Sequence, residues 1–286
     1  MISKVGVVGA GLMGSEIALV FALANKDVLL SDTRPEALDR ARTNLEGILQ
    51  RGLKRGFYEP DQVKPTLARI TTTTDLKAFA DRDMVIEAVF EDETVKAGVF
   101  STLDTVVPDE CIIASNTSSI SITALSSHLS ARRRSRFIGT HFFSPVSRMK
   151  LVEVIPAMDT AQQTVEAAIQ ACTQAGKTAI KVKDVVGFAV NRVLHALVIE
   201  AIRLVEEGVA TAEDIDLACK LGLGHPIGPF QLLDATQNSL SLQVQGILYD
   251  AYGERFKPRP LLKQMVRAGY NGKKAGRGWY KYDEQV

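Results

Sequence analysis

Two patterns in this chain carry residue types that could do chemistry together. In the first, His141 interrupts the apolar run GTHFF and Glu153 stands inside the next apolar run, KLVEVIP. The chain has only 4 histidines in 286 residues, and a polar ring inside an apolar segment needs a partner. Were the two runs antiparallel neighbours, Glu153 would accept from one ring nitrogen and hold the other as a base working near neutral pH. Residue types alone leave a second reading open, a core histidine satisfied for structure only. The second pattern is GAGLMG, a G-x-G-x-x-G at Gly9, Gly11 and Gly14. It follows an apolar run directly and opens a helical one, the context in which the motif binds a dinucleotide. Gly9 permits the turn, Gly11 lets a pyrophosphate approach, and Gly14 lets helix pack on strand. Gly11, Leu12 and Met13 stand where the first amides of the helix would face phosphate. Asp32 closes the next apolar run, DVLLSD, where a carboxylate takes ribose hydroxyls and disfavours a 2′-phosphate. The cofactor expected is therefore NAD, with Arg34 close enough to soften the preference over NADP. A base and a hydride acceptor together are what the oxidation of an alcohol requires.

The elements that would position these residues alternate. KVGVVGAG reads as a strand entering the glycine turn, 12–24 as a helix, and 27–32 as a buried strand. Residues 35–56 read as a long polar helix with Pro35 just inside its start. ARIT, DMVIEAV and CIIASN read as further short strands with helices between them. RFIGTHFF and KLVEVIP follow with no helix-length segment between. Such alternation implies an α/β Rossmann-type, doubly wound parallel sheet. His141 would then end a strand on the edge where such sheets bind ligands. Past Gly187 the pattern becomes helical, beginning with a long amphipathic segment at 188–207 and a capped start at Thr211. The expectation is an NAD-binding domain at 1–186 and an all-α C-terminal domain for dimerisation and substrate at 187–286.

Composition narrows the function classes. Lys+Arg 34 against Asp+Glu 33 leaves a net charge of +1, which argues against a nucleic-acid or membrane-surface binder. Three cysteines, Cys111, Cys172 and Cys219, are far apart and in no metal-ligand spacing; they read as buried thiols of a reducing cytosol. The opening residues reach glycines too early for a secretory signal, so the expected location is cytoplasmic. The run Arg132-Arg133-Arg134 with Arg136 reads as a solvated loop. No metal is expected.

Five strings, ASNTSSISIT (114–123), HFFSPVSRMKLVEV (141–154), DVVGFAVNR (184–192), HPIGP (225–229) and GRGWYKY (276–282), closely resemble the L-3-hydroxyacyl-CoA dehydrogenase family, and within it the stand-alone 3-hydroxybutyryl-CoA type. The resemblance runs in the same order along essentially the whole chain. It implies NAD-dependent interconversion of an L-3-hydroxyacyl-CoA and a 3-ketoacyl-CoA in a cleft between the domains, by a homodimer joined through the C-terminal domain. By position, His141 matches the family's catalytic base and Glu153 the acid that orients it. Ser118 matches the serine that bonds the substrate 3-oxygen and the cofactor region. Asn191 matches the asparagine at the thioester oxygen. Glu91, Lys96 and Lys274 match NAD contacts, and Arg51 and Lys54 resemble residues that meet the CoA phosphates. One position departs: where the family writes H-F-F-N-P, with an asparagine that contacts the cofactor, this chain has Ser144.

The residues themselves leave neighbours in competition. Ser118 lies in a row with Thr117, Ser119 and Ser121. His195 stands one helical turn beyond Asn191, on the same face. Arg51 and Lys54 also fit a solvated helix face. Two other functions compete with the main one: an NAD-linked dehydrogenase of another 3-hydroxy acid or 3-hydroxy-dicarboxylyl-CoA, and a non-catalytic NAD-binding protein.

Overall fold

The computed structural model describes residues 2–282, and the chain divides into two compact units, Met1–Val185 and Val186–Val286.

The first unit runs β1 (Lys4–Val8), α1 (Leu12–Leu23), β2 (Asp27–Ser31), α2 (Pro35–Lys54), α3 (Pro60–Ala68), β3 (Ile70–Thr73), β4 (Met84–Glu87), α4 (Glu93–Val106) and β5 (Ile112–Ser115). It continues with α5 (Ile122–Ser126), α6 (Ala131–Arg134), β6 (Phe137–Phe142), β7 (Leu151–Pro156), α7 (Gln162–Gln174) and β8 (Thr178–Lys181). The eight strands form one sheet in the order β3-β2-β1-β4-β5-β6-β7-β8. Strands β1 to β6 are parallel, and the order reverses between β1 and β4, the switch point where such sheets take ligands. The central strands β1, β2, β4 and β5 are buried on both faces, which is why they are rich in Val, Ile and Leu. Helix α1 is buried from Gly14 through Ala22, so it sits inside the unit and fixes the glycine turn at its start.

Past β6 the sheet changes direction. The connection to β7 is too short for a crossover helix, so β7 returns antiparallel, with His141 directly opposite Glu153. Strand β8 is missing from the sequence reading. TAIK is short and largely exposed, and it pairs parallel to β7 at the sheet edge. The arginine run is also corrected. Arg133 is 1% exposed, and its guanidinium donates to the carbonyls of Val107 at 3.0 Å and Pro108 at 2.6 Å. It satisfies carbonyls just past the end of α4, a role that a string of three arginines conceals.

The second unit holds α8 (Val190–Glu206), α9 (Ala212–Gly222), α10 (Pro229–Thr236), α11 (Asn238–Tyr252) and α12 (Pro260–Arg267). Its core gathers Val198, Ile202, Phe230, Leu233 and Leu262. The tail is clasped by two buried acids. Asp234 accepts from the Trp279 and Tyr280 amides, each at 3.0 Å, and Asp216 accepts from the Tyr280 hydroxyl at 2.7 Å. Among the described residues, no helix is long and apolar enough to cross a membrane.

Candidate active site

The glycine turn comes first. Gly9 has φ +103°, a backbone that L side chains rarely adopt, and a Cβ at Gly14 would overlap the Gly9 carbonyl. Both glycines are therefore demanded by the protein itself. Gly11 is different. It has φ −70°, and a Cβ there would meet nothing within 4 Å. Nothing inside the chain calls for glycine at that position, whereas a pyrophosphate lying against the turn would. Asp32 completes the cradle: one oxygen accepts from the Ala10 amide and the other from the Arg34 amide, both at 3.0 Å. The carboxylate thus stands beside the glycine turn, where adenosine ribose binds in folds of this kind. These residues fit NAD.

The ends of β4 and β5 add a buried polar cluster. Glu87 and Lys96 are both fully buried and bond at 2.7 Å, and Ser115 donates to the second Glu87 oxygen at 2.6 Å. Lys96 also faces Glu91 at 3.3 Å. Glu91 gathers the Ser/Thr row: Thr117 Oγ1 at 2.6 Å, the Ser118 amide at 2.8 Å and the Ser119 amide at 3.0 Å. Burial alone would raise the Glu91 carboxyl. Lys96 and these donors outweigh it and hold the group below the usual carboxylate range. Glu91 and Lys96, singled out together in the sequence, and Ser118, singled out apart from them, form one assembly. Asn116 ties it to β6 by accepting from the Phe142 amide at 2.8 Å.

His141 is next along the sheet edge. Its Nδ1 lies 2.9 Å from Glu153 Oε2, with the histidine 6% exposed and the glutamate fully buried. The register of β6 on β7 produces this contact, since directly opposed residues share a face of the sheet. Phe143 packs against the imidazole with ring centroids 4.5 Å apart. Ser144, three residues beyond His141, is exposed.

Beside α1 lies a cavity of about 800 Å³ lined by Arg51, Arg55, Tyr58, Arg148, Lys150 and the buried Glu16. Arg51 was expected here. Lys54 does not line it. The sequence reading missed Arg55, Arg148 and Lys150: Arg55 lies one residue past α2, and the other two lie in a connection with no periodicity to read.

Asn191 and His195 belong to α8 of the second unit and Lys274 to an exposed turn there. His195 is 5% exposed. Its Nδ1 has no hydrogen-bond partner among the described residues, and burial pushes the ring down to about 4. The three cysteines are buried, and burial raises the thiols of Cys111 and Cys172 to about 12.

Comparison with known proteins agrees along the whole chain. Residues 4–185 match the family described as 3-hydroxyacyl-CoA dehydrogenase, NAD binding domain, and residues 187–282 match the 3-hydroxyacyl-CoA dehydrogenase C-terminal domain. The 3-hydroxybutyryl-CoA dehydrogenase of Bradyrhizobium diazoefficiens is 40% identical over 99% of this chain and 96% of its own. The mitochondrial hydroxyacyl-coenzyme A dehydrogenase of Sus scrofa is 39% identical over 99% and 92%. The crystal structure of (S)-3-hydroxybutyryl-CoA dehydrogenase from Ralstonia eutropha superposes with a TM-score of 0.94 at 39% identity, covering 99% of this chain and all of that one.

Proposed function

The chain belongs to the 3-hydroxyacyl-CoA dehydrogenase family, and within it we propose that this NAD-dependent oxidoreductase interconverts a short-chain L-3-hydroxyacyl-CoA, of the 3-hydroxybutyryl type, and the 3-ketoacyl-CoA with His141 as general base. The observation that carries the base is the 2.9 Å contact between His141 Nδ1 and Glu153 Oε2. An ionised carboxylate can only accept, so Nδ1 carries the proton and Nε2 is the basic nitrogen. Nε2 removes the proton from the substrate 3-hydroxyl. Bound NAD supplies the acceptor for the hydride leaving C3. Glu153 stabilises the imidazolium as it forms. Ser118, beside Glu91, bonds the 3-oxygen, and Asn191 bonds the thioester oxygen. Asp32 holds the adenosine ribose, and Glu91, Lys96, Ser144 and Lys274 make further cofactor contacts. The names of the relatives support the short acyl chain.

The cavity beside α1 takes the CoA phosphates. Arg51, Arg55, Arg148 and Lys150 stand there against the single carboxylate of Glu16, a balance that suits polyanionic ligands. A homodimer forms through the second unit, whose exposed Val193, Val209, Leu221 and Leu223 offer apolar surface for it. The expected location is the cytoplasm.

His141→Ala tests the base. With acetoacetyl-CoA and NADH, kcat should fall by about 10²–10⁴-fold, the contribution of a positioned general base, while the dissociation constant of NADH stays the same. A variant that keeps more than about a tenth of kcat, well outside that range, removes His141 from the chemistry.

A further inference from the structure

The connection from β6 to β7, residues 143–150, brings Arg148 and Lys150 to the cavity. It contains neither helix nor strand, yet two buried ionic groups from distant parts of the chain grip it. Glu16, on α1, is 3% exposed and accepts from the Ser147 amide at 2.7 Å. Lys177, the residue before β8, is 8% exposed. Its ammonium donates to the Val146 carbonyl and, at 2.9 Å, to the Met149 carbonyl. The Arg148 and Met149 amides both return to the Pro145 carbonyl, at 3.0 and 2.9 Å, so Arg148 stands at the corner of a closed turn.

We propose that Glu16 and Lys177 are positioning residues for the acyl-CoA, clamping the β6–β7 connection so that Arg148 and Lys150 face the substrate's phosphates. This rests on the reading of the cavity as the CoA site. A lysine anchored on two carbonyls of one turn resists opening of that turn, because opening strands a buried ammonium. Burial lowers the Lys177 ammonium and Lys150 nearby lowers it further, while Glu16 offsets part of the effect. A carboxylate on an amide makes a charge-assisted bond, stronger than a neutral acceptor there. The two grips meet the connection from opposite directions of charge, Glu16 on an N–H and Lys177 on C=O groups. Neither residue is required for proton or hydride transfer, so the effect belongs in substrate affinity.

The experiment compares two thioesters, acetoacetyl-CoA and acetoacetyl-pantetheine, which lacks the nucleotide phosphates. Lys177→Met keeps the buried stem and removes the donors. Its KM for the CoA thioester should rise about tenfold, equivalent to about 1.4 kcal/mol, with the KM for the pantetheine thioester and both kcat values unchanged. Glu16→Ala should behave alike, and Glu16→Gln, whose amide oxygen still accepts from Ser147, should restore most of the affinity. Equal rises for both thioesters, or no rise in soluble folded variants, overturn the proposal. So does a KM that falls in both Glu16 variants, since Glu16 would then act only as a charge facing the phosphates. Should Lys177→Met fail to fold, the two Glu16 variants decide alone. Arg148→Ala separates the clamp from the reading beneath it. If it leaves the ratio of the two KM values at the wild-type level, the cavity is not the CoA site. If it shifts the ratio while the Lys177 and Glu16 variants do not, only the clamp fails.

Discussion

Each unit of this protein buries a histidine, and the two have opposite surroundings. His141 lies on a strand, 2.9 Å from a buried carboxylate. His195 lies on a helix, its Nδ1 without a hydrogen-bond partner among the described residues, and its ring is pushed down to about 4 by burial. At neutral pH such a ring is neutral and a weak base, because burial has taken away the solvation of its charged form. A carboxylate beside an imidazole does the reverse and stabilises the cation that proton transfer creates. Burial by itself therefore disqualifies a histidine as a base. Burial next to an acid equips one.

The largest expected effect comes from breaking that difference. Glu153→Gln keeps the shape of the partner and removes its charge, so His141 is left closer to the condition of His195. With acetoacetyl-CoA and NADH, kcat should drop by about 10²–10⁴-fold with NADH binding unchanged in a direct titration. A kcat near the wild-type value would mean that the contact at His141 is structural and that the contrast between the two histidines has no bearing on catalysis.

How far the contrast could be read from sequence is instructive. GTHFF and KLVEVIP state that two apolar runs each hold one polar group, and the lack of a helix between them points to antiparallel return. The register is what the letters do not state. A slip of one residue along either strand would send the two side chains to opposite faces of the sheet. The glycine turn, by contrast, was fully legible, because Gly9 and Gly14 answer to local sterics that sequence context exposes. His195 was visible only as one of two polar groups on a helical face, since nothing in a sequence says that a helix position ends up 5% exposed. Lys177 escaped notice for the same reason. It precedes a strand too short and too exposed to announce itself, and its two carbonyl partners lie in an irregular turn. Pairings between near neighbours can be inferred from pattern; grips between distant segments need the fold.

A second test sharpens the comparison from the side of His195. Its ring titrates at about 4 in the folded chain against 6.5 when unperturbed. Between those values the unfolded chain binds the extra proton. The stability this ring contributes is therefore complete above about pH 6.5 and is lost as the pH falls toward 4. The full loss is on the order of 3 kcal/mol. Urea unfolding of the wild type and of His195→Gln, at neutral pH and at about pH 4.5, isolates the ring from every other titrating group. The wild type should lose more stability on acidification than the variant does. Equal losses would show that His195 takes up its proton without cost to stability.

The smallest effect probes whether the surroundings of His141 are laid out for a ligand. Ser144 stands three residues beyond the ring, in an exposed part of the β6–β7 connection, at the position where the resemblance to the family implies an asparagine in contact with the cofactor. Serine is shorter and offers one hydroxyl where the amide offers two donors and an acceptor. The proposed bond from Ser144 to NAD would therefore be weaker or run through a water, which keeps most of the enthalpy at a cost of about 0–2 kcal/mol. Ser144→Asn should lower the KM for NADH by the worth of about one hydrogen bond, 0.5–1.5 kcal/mol, and leave kcat close to that of the wild type. An unchanged KM would make position 144 a turn residue before Pro145 and nothing more. A collapse of kcat would mean that the ground beside His141 has been rebuilt around serine, so that the longer side chain reaches the reacting atoms. In steady-state kinetics these three results are distinct. Only the second would leave position 144, and with it this side of His141, without a part in holding the cofactor.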